Sequence, residues 1–421
     1  MTKTYKHKSL NKPEPTSRPP AGGHLVYSIL MGAVLSGTSL VSSYAQGAEW
    51  YMEPSVTAKE QYDDNVRLSA TNQTSTWATF LLPELKIGSR TETSEIDITG
   101  RAEFSRYHSA KELNSDDQFL NFSGSHRNER NRWAVDIDYE RDSTLRTLAD
   151  DTGRVGTEAL RVETARIAPS WTHVVSEKST LNLGASYTDV HYPDPGNSNL
   201  SDSETTGVSG SWQYQWTTPT VLFITGYANK YEQDTGVTST TIEYFGVNLG
   251  FDHKLTETFS VSASIGRQES DSEQKTRIGN LILKTGGKGS GLLFNVSAEK
   301  NTETTRYKAS LNRSTSPSVT GNLNNRDEFK FNYNRRLTEK MNVLFEARYL
   351  LQESSLGNNT NNDRKFWVVS PALSWQMSRN WYFNARYRHR YQKYDNANRS
   401  ADSDRVLFTV RYDWDRKSLS R

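Results

Sequence analysis

Side-chain character alternates at a period of two along most of the chain after Trp50. Segments of about ten residues switch between apolar and polar positions and then break, and helical periodicity is nearly absent. In the stretch NWYFNARYRHRYQKY, one set of alternate positions is Trp381, Phe383, Ala385, Tyr387, His389 and Tyr391, and the other is Tyr382, Asn384, Arg386, Arg388, Arg390 and Gln392. Because a helix would mix the two sets, the pattern predicts a β-strand with an aromatic face and a basic face.

Three kinds of protein could carry such a strand. It could belong to a soluble β-sandwich, to an aromatic and basic platform for single-stranded nucleic acid, or to a membrane barrel with lipid outside and water inside. The remainder of the chain has to decide between them.

The breaks between the alternating segments fall into two size classes that take turns along the chain. The tight breaks are Arg90–Thr93, Asn128–Asn131, Ser176–Ser179, Thr217–Thr220, Thr256–Thr258, Asn301–Glu303, Thr338–Lys340 and Ser378–Asn380. The longer polar stretches include Asp63–Ser75, Ser109–Asp117, Asp142–Glu158, Pro193–Ser203, Glu269–Ser290, Ser314–Arg326, Glu353–Asp363 and Asp395–Asp404. This alternation predicts an all-β, transmembrane antiparallel β-barrel of about 18 strands, although 16 would also fit, with short periplasmic turns and long outer loops.

The two faces of each segment agree with that prediction. Phe329, Phe331 and Tyr333 alternate with charged or amide side chains. In the same way, the apolar residues Trp133, Val135, Ile137 and Tyr139 alternate with positions that include Asp136, Asp138 and Glu140. One such strand fits a sandwich equally well, but a long succession with no helix to cover it favours a closed barrel, which also removes exposed sheet edges.

Aromatic side chains and prolines have particular positions in this scheme. Trp171, Trp212, Trp216, Trp375 and Trp381 flank tight breaks, where an interfacial aromatic girdle is expected. Four strands contain an internal proline, and because proline removes a ladder donor we expect β-bulges at Pro54, Pro83, Pro169 and Pro371.

The N-terminus has the features of a secretory signal. Basic residues precede the apolar stretch Leu25–Val41, and Ser43-Tyr44-Ala45 offers a cleavage site. We expect residues 1–45 to be a signal peptide and residues 46–421 to form the barrel. A single membrane-anchoring helix is the alternative interpretation of the same stretch.

Composition narrows the class of protein further. Only 34% of residues are hydrophobic and mean hydropathy is -0.77, which is low for a chain of 421 residues that must bury a core. The 11% aromatic content argues against disorder. The absence of cysteine excludes disulfides, thiolate metal sites and thiol catalysis, and the net charge of +2 gives no overall field for nucleic acid.

In a barrel, the basic face of the Trp381–Tyr391 strand would line the lumen. The same parity predicts a basic interior from residue 304 to the C-terminus, formed by Arg306, Lys308, Lys330, Arg336, Arg348, Arg386, Arg388, Arg390 and Arg411. An opposing acidic interior is predicted from Asp97, Glu103, Asp136, Asp138 and Glu140. Two outcomes remain open: a polarised, water-filled pore that selects polar solutes, or charges that pair across strands and only fill the barrel.

Catalytic chemistry has little support in the sequence. No Gly-Xaa-Ser-Xaa-Gly or His-Glu-Xaa-Xaa-His motif is present, and Asp63-Asp64-Asn65 lacks the spacing of a calcium loop. Most histidines share parity with the lipid-side aromatics. We therefore expect no enzyme, no metal, no cofactor and no nucleic-acid partner.

The chain resembles outer-membrane barrels encoded in exopolysaccharide and exosortase gene clusters, the group called putative β-barrel porin type 2. The resemblance lies in Trp50–Val56, in Tyr62–Val66 and in the strand ladder through to Trp414. It implies a role in moving a secreted polysaccharide across the outer membrane, beside a periplasmic export partner.

Three functions follow as hypotheses. The first is a passive conduit for exopolysaccharide or another polar solute, the second a structural barrel that retains glycan at the cell surface, and the third a general porin.

Overall fold

The computed structural model describes residues 48–144, 159–196, 200–318, 323–354, 363–394 and 399–419. The predicted signal peptide at residues 1–45 lies outside the described residues. Within them almost every residue belongs to β-structure, apart from one 3-10 turn at Lys111–Leu113. No helix among these residues has the length and apolar character needed to cross a membrane.

Eighteen long strands and one two-residue strand make up a single sheet. The strands are β1 (Glu49–Asp63), β2 (Thr76–Arg90), β3 (Ser94–Tyr107), β4 (Ser115–Arg127), β5 (Asn131–Ser143), β6 (Arg161–Ser176), β7 (Ser179–His191), β8 (Ser203–Thr217), β9 (Thr220–Asp234), β10 (Thr238–Lys254), β11 (Phe259–Ile278), β12 (Leu281–Asn301), β13 (Thr305–Pro317), β14 (Leu323–Thr338), β15 (Met341–Ser354), β16 (Arg364–Gln376), β17 (Trp381–Tyr394), β18 (Arg399–Asp413) and β19 (Lys417–Ser418).

The sheet closes on itself. Each long strand pairs antiparallel with the next, and β18 pairs with β1 from Ser55 opposite Asp413 to Asp63 opposite Arg405. The short β19 continues this seam along β1 at Tyr51 and Met52. The predicted fold, a closed antiparallel barrel of eighteen strands, is therefore confirmed.

The two ends of the barrel carry different connections. All eight predicted tight breaks are turns of two to four residues between strands, for example 177–178 between β6 and β7. We call this the turn end, and the opposite end the loop end. The loop-end connections vary in length: residues 64–75 and 108–114 are longer than any tight turn, whereas residues 235–237 and 279–280 are as short as the tight turns.

One predicted loop is wrong. The polar stretch Glu269–Ser290 is not a loop. It forms the loop-end part of β11 and β12, which pair without a break until Ile278 lies opposite Leu281. Gly279, with a φ of 63°, occupies the two-residue turn. Backbone pairing needs no apolar face, and this hairpin carries ion pairs such as Lys275 to Glu273 at 2.8 Å.

The expected bulges are wrong at three of the four prolines. Pro83, Pro169 and Pro371 each interrupt pairing with one neighbouring strand for two residues, but the register is the same on both sides of the gap. At these three prolines the missing donor is thus accommodated by a local opening of the ladder and not by an inserted residue. At Pro54, where β1 changes its partner from β19 to β18, the register shifts by one residue, because residues 53–54 lie opposite residues 414–416.

The pairing registers assign each alternate position to the same face all the way round the barrel. The exterior face exposes large apolar side chains, including Leu81, Trp133, Leu183, Phe245, Ile265, Leu292, Phe329 and Phe408. Aromatic side chains meet near the turn end, where Trp133 stacks on Trp171 at 5.4 Å and Trp381 contacts Tyr412 at 4.9 Å. The exterior thus has the apolar band and aromatic girdle of a membrane barrel.

Candidate functional site

The interior faces of β13 to β18 are dominated by basic side chains, and we call them the charged wall. Its basic members are Arg306, Lys308, Arg326, Lys330, Arg336, Arg348, Arg364, Arg386, Arg388, Arg390, Arg399, Arg405 and Arg411. Its acidic members are Glu328, Glu346 and Asp413. All nine basic residues predicted from sequence lie on this face of the sheet.

Glu328 is the main acceptor of hydrogen bonds from cations in the part of the charged wall nearer the loop end. Its carboxylate lies 3.1 Å from Arg326 and 2.9 Å from Lys330, and Arg348 donates to it through Nε. Three cations therefore share one half-buried carboxylate, and a positive excess remains around it.

The other predicted basic residues are partnered in smaller groups. Arg386 lies 3.4 Å from Glu346, and Arg411 donates to Asp413 through Nε. Arg388 lies directly opposite Arg405 across the β17–β18 pair.

Basic residues near the turn end have partners too. Arg306 lies 2.9 Å from Glu299, which is also directly opposite Lys308. Arg336 donates to the backbone oxygen of Glu303 at 2.9 Å. The Glu299 carboxylate therefore offsets part of the charge that sequence parity alone assigned to the lumen, whereas the Arg336 contact satisfies a donor without offsetting its charge.

Arg390 has a structural position. Its side chain is 2% exposed and donates to Asp63 at 2.9 Å and to Ser403 at 2.8 Å. Asp63 itself is fully buried and also accepts from Arg405 at 2.7 Å. This cluster joins β1, β17 and β18 at the seam where the barrel closes.

The first loop, residues 64–75, folds from this cluster into the barrel. Leu68, with a φ of 47°, packs against Leu350, Phe366 and Ala401 in a buried apolar group. The backbone oxygen of Leu68 accepts from Gln392 at 2.8 Å. The loop therefore lies across the interior surface of β15 to β18 and narrows the loop end.

The predicted acidic residues lie on the interior faces of β3 and β5. Asp97 is 3.3 Å from Lys86 and accepts from the Tyr51 hydroxyl, and Asp138 is 3.6 Å from Arg166. Across the strand pairs, Glu103 lies opposite Asp117, Glu140 lies opposite Phe119, and Asp136 lies opposite Ser123. These residues lie on the interior faces of β3 and β5, and Asp97 and Asp138 each lie close to a cation.

The interior faces of β8 to β12 are almost uncharged, and we call them the neutral wall. Their charged members, Asp252, Lys254 and Glu299, lie near the turn end. Elsewhere the interior positions are mostly small or neutral polar residues, including Ser209, Ser211, Thr225, Asn229, Asn248, Ser262, Ser264, Gln268, Ser270, Ser272, Gly287, Gly289 and Asn295.

Tyrosines give the neutral wall an aromatic surface. Tyr227 and Tyr244 meet edge to face at 6.5 Å, and the Tyr227 hydroxyl donates to Gln268 at 2.7 Å. Gly246 makes room for this arrangement, because a Cβ there would come within 2.5 Å of the Tyr227 ring. Tyr231 packs with Ile242 and with Leu323 from the start of β14.

Several features of the interior were missed by the sequence reasoning. Arg364 was not assigned to the lumen because both faces of Arg364–Gln376 are largely apolar, which hides its parity. The neutral wall was missed because serine and glycine give no distinctive chemical signal. Only the pairing register reveals both.

No group of three or more potential metal ligands occurs within the described ranges. The site is thus a polar interior of fixed charges, amides, hydroxyls and rings.

A closed eighteen-stranded barrel with an apolar, aromatic-girdled exterior and a polar interior defines a porin-like outer-membrane β-barrel. The chain belongs to the family Putative beta-barrel porin 2, whose model matches residues 46–413. Its location is therefore the outer membrane.

Solved structures are similar to the chain at low sequence identity. OpdK of Pseudomonas aeruginosa, crystallised with vanillate, is 11% identical, with 86% of this chain and 99% of that chain covered and a TM-score of 0.43. OpdL of the same organism is 13% identical, with coverages of 89% and 99% and a TM-score of 0.44. The ferric-catecholate import receptor Fiu of E. coli K12 is 9% identical, with coverages of 86% and 81% and a TM-score of 0.47. None of the curated proteins matches the chain.

Proposed function

We propose that the barrel is a passive outer-membrane channel for polar, negatively charged solutes, with a secreted polysaccharide as its main cargo. The main support for this proposal is that one closed barrel has two chemically different interior surfaces, the charged wall and the neutral wall. The charged wall holds more cations than carboxylates, whereas the neutral wall offers hydroxyls, amides and tyrosine rings. A solute with sugar rings and carboxylates would find complementary chemistry on both.

The channel works without chemical catalysis in this proposal. The charges on the wall orient and concentrate the solute, and the driving force comes from elsewhere, since no nucleotide or metal motif was found in the sequence. A periplasmic export partner would meet the barrel at the turn end, where the connections are short enough to leave the opening accessible.

A general porin for small polar solutes is the second candidate. The inward position of residues 64–75 favours it, because Leu68 and its neighbours reduce the passage available to a polymer at the loop end. The contacts of this loop are satisfied and buried, so it is a fixed part of the interior and not a loosely attached segment.

Planar bilayers distinguish these functions. Purified protein should give stepwise currents, and glucuronic acid oligomers added at the turn end should block them for times that increase with oligomer length. Matched neutral glucose oligomers should block for shorter times. Blocks that do not lengthen beyond a dimer would favour the general porin, and the absence of any current would overturn the channel in favour of a structural barrel.

A further inference from the structure

Arg364 is a buried cation that makes no hydrogen bond with any of the described residues. It is the first residue of β16, its side chain is 2% exposed, and it faces the interior at the loop end. Its Nε, Nη1 and Nη2 atoms are all buried, and none makes a hydrogen bond in the described structure. A charged group in this condition is costly unless a counter-charge approaches it.

The nearest carboxylate on the same wall, that of Glu328, already contacts other cations. Glu328 lies two residues after Arg326 in β14, farther from the loop end. Its carboxylate contacts Arg326 and Lys330 and accepts a hydrogen bond from Arg348. The Nε of Arg326 is buried without a partner as well. One carboxylate therefore serves three cations, and Arg364 is an additional positive charge beside them.

The pairing register shows that these cations can act together. Arg326 and Arg364 both lie directly opposite Gln352, one on each side of it, so their Cα atoms are about 10 Å apart on one face of the sheet. The Arg364 guanidinium lies 5.2 Å from the centre of the Phe366 ring, which fixes its plane against the wall. Two guanidiniums on either side of an amide form a fork suited to a small planar oxyanion.

Neither a bound water nor the Phe366 ring compensates Arg364 as an anion would. A water molecule could satisfy one N–H group but would not offset the adjacent positive charges. Stacking on Phe366 uses the face of the guanidinium and leaves its N–H groups unsatisfied. A buried polar group that makes no hydrogen bond calls for a partner such as an ordered water or an ion, and the neighbouring cations favour an anion here.

We propose that Arg364 and Arg326, with Gln352 between them, form an oxyanion-binding site at the loop end of the charged wall. The group it would hold is a carboxylate, such as that of an acidic sugar, and inorganic sulfate shares the same chemistry. This deepens the proposed function, on which it rests, because it gives the channel a defined contact for an anionic solute.

The test is calorimetric titration of the detergent-purified barrel with glucuronate, glucose and sulfate. Glucuronate should bind with one site per chain and glucose should give no heat. Arg364→Gln should weaken glucuronate binding at least tenfold, and Arg364→Lys, which keeps the charge but loses the fork, should weaken it to a smaller degree. The matched control is Arg267→Gln, an arginine on the exterior face of β11, which should bind as the wild type does.

The glucuronate and sulfate titrations together test whether the site exists and which anion it binds. Equal glucuronate affinity in the wild type and in Arg364→Gln, or no anion binding by the wild type, would overturn it. Binding of sulfate in preference to glucuronate, lost in Arg364→Gln, would support the oxyanion site and assign it to a free inorganic anion. The folding of each variant is checked by its heat-dependent electrophoretic mobility, and if Arg364→Gln does not fold, Arg364→Lys decides.

Bilayer currents recorded on the same samples separate this site from the proposed function. Currents in a wild type that binds no anion would overturn only the site. A wild type that binds glucuronate but conducts nothing would overturn the channel.

Discussion

The charged wall and the neutral wall of the barrel are built from the same kind of strand but are held together differently. The charged wall is joined to β1 by buried ion pairs such as Arg390 to Asp63, which connect strands that are far apart in sequence. In the neutral wall, close packing dominates, and glycines such as Gly246 allow tyrosine rings to lie along the surface. The stability of the charged wall depends on the compensation of buried charges, and that of the neutral wall depends on the space available to its side chains. Substitutions should therefore destabilise the two walls for different physical reasons.

The largest effect on stability is expected from Asp63→Ala in β1, at the seam where β1 meets the charged wall. Removing this fully buried carboxylate leaves Arg390 and Arg405 without their shared acceptor, and such a loss costs about 3–5 kcal/mol. Urea unfolding of the barrel in detergent micelles measures it. The control Asp136→Ala removes an exposed interior carboxylate that makes no ion pair with a described residue, and it should change stability little. Equal losses in both variants would show that the seam cluster has no special role.

A smaller loss is expected from Gly246→Ala in the neutral wall. The new Cβ would come within 2.5 Å of the Tyr227 ring, so the ring must move, and overpacking of this kind costs about 1–3 kcal/mol. Gly226→Ala is the matched control on the adjacent strand, because its Cβ would meet nothing closer than 3.9 Å. The same unfolding measurement applies, and an unchanged Gly246→Ala would contradict the packing described for this wall.

Tyr227→Phe tests the polar contact within the neutral wall. It keeps the ring and removes the hydroxyl that donates to Gln268, which should cost about 0.5–1.5 kcal/mol. Blocking times for neutral glucose oligomers should shorten, while ion selectivity stays the same. A change in ion selectivity would mean that the neutral wall does not act independently of the charged wall.

The smallest effect is expected from Arg306→Gln at the turn end of the charged wall. The Arg306 side chain is 59% exposed, and a solvated pair of this kind contributes about 0–1 kcal/mol. Its unfolding midpoint should stay close to that of the wild type and become less salt-dependent. A loss as large as that of Asp63→Ala would indicate that exposure does not separate structural from solvated pairs in this barrel.

Much of the fold could be predicted from alternation alone. Trp381, Phe383 and Tyr387 lie on the exterior as the period of two requires, and the tight breaks marked the turn end correctly. Alternation failed where pairing continues without apolar residues, as in the β11–β12 hairpin. The expectation of bulges failed at Pro83, Pro169 and Pro371, where a local gap in the pairing replaces a bulge.

The site was less predictable because its important contacts are distant in sequence. Parity placed Arg348 and Arg386 on the interior face but could not show that Glu328 and Glu346 lie beside them. Nothing near Leu68 indicates that it packs against Phe366 and Ala401 from the far end of the chain. Such contacts depend on barrel closure and not on any local pattern.

The reversal potential of single channels in a potassium chloride gradient tests the role of the charged wall most directly. We predict an anion-selective wild type and a shift toward cations in the double variant Arg386→Glu with Arg388→Glu, which leaves the structural Arg390 in place. The control double variant Lys284→Glu with Lys288→Glu makes the same charge change on the exterior face of the β11–β12 hairpin and should keep the wild-type selectivity. A cation-selective wild type, or equal shifts in both double variants, would contradict a pore governed by its charged wall.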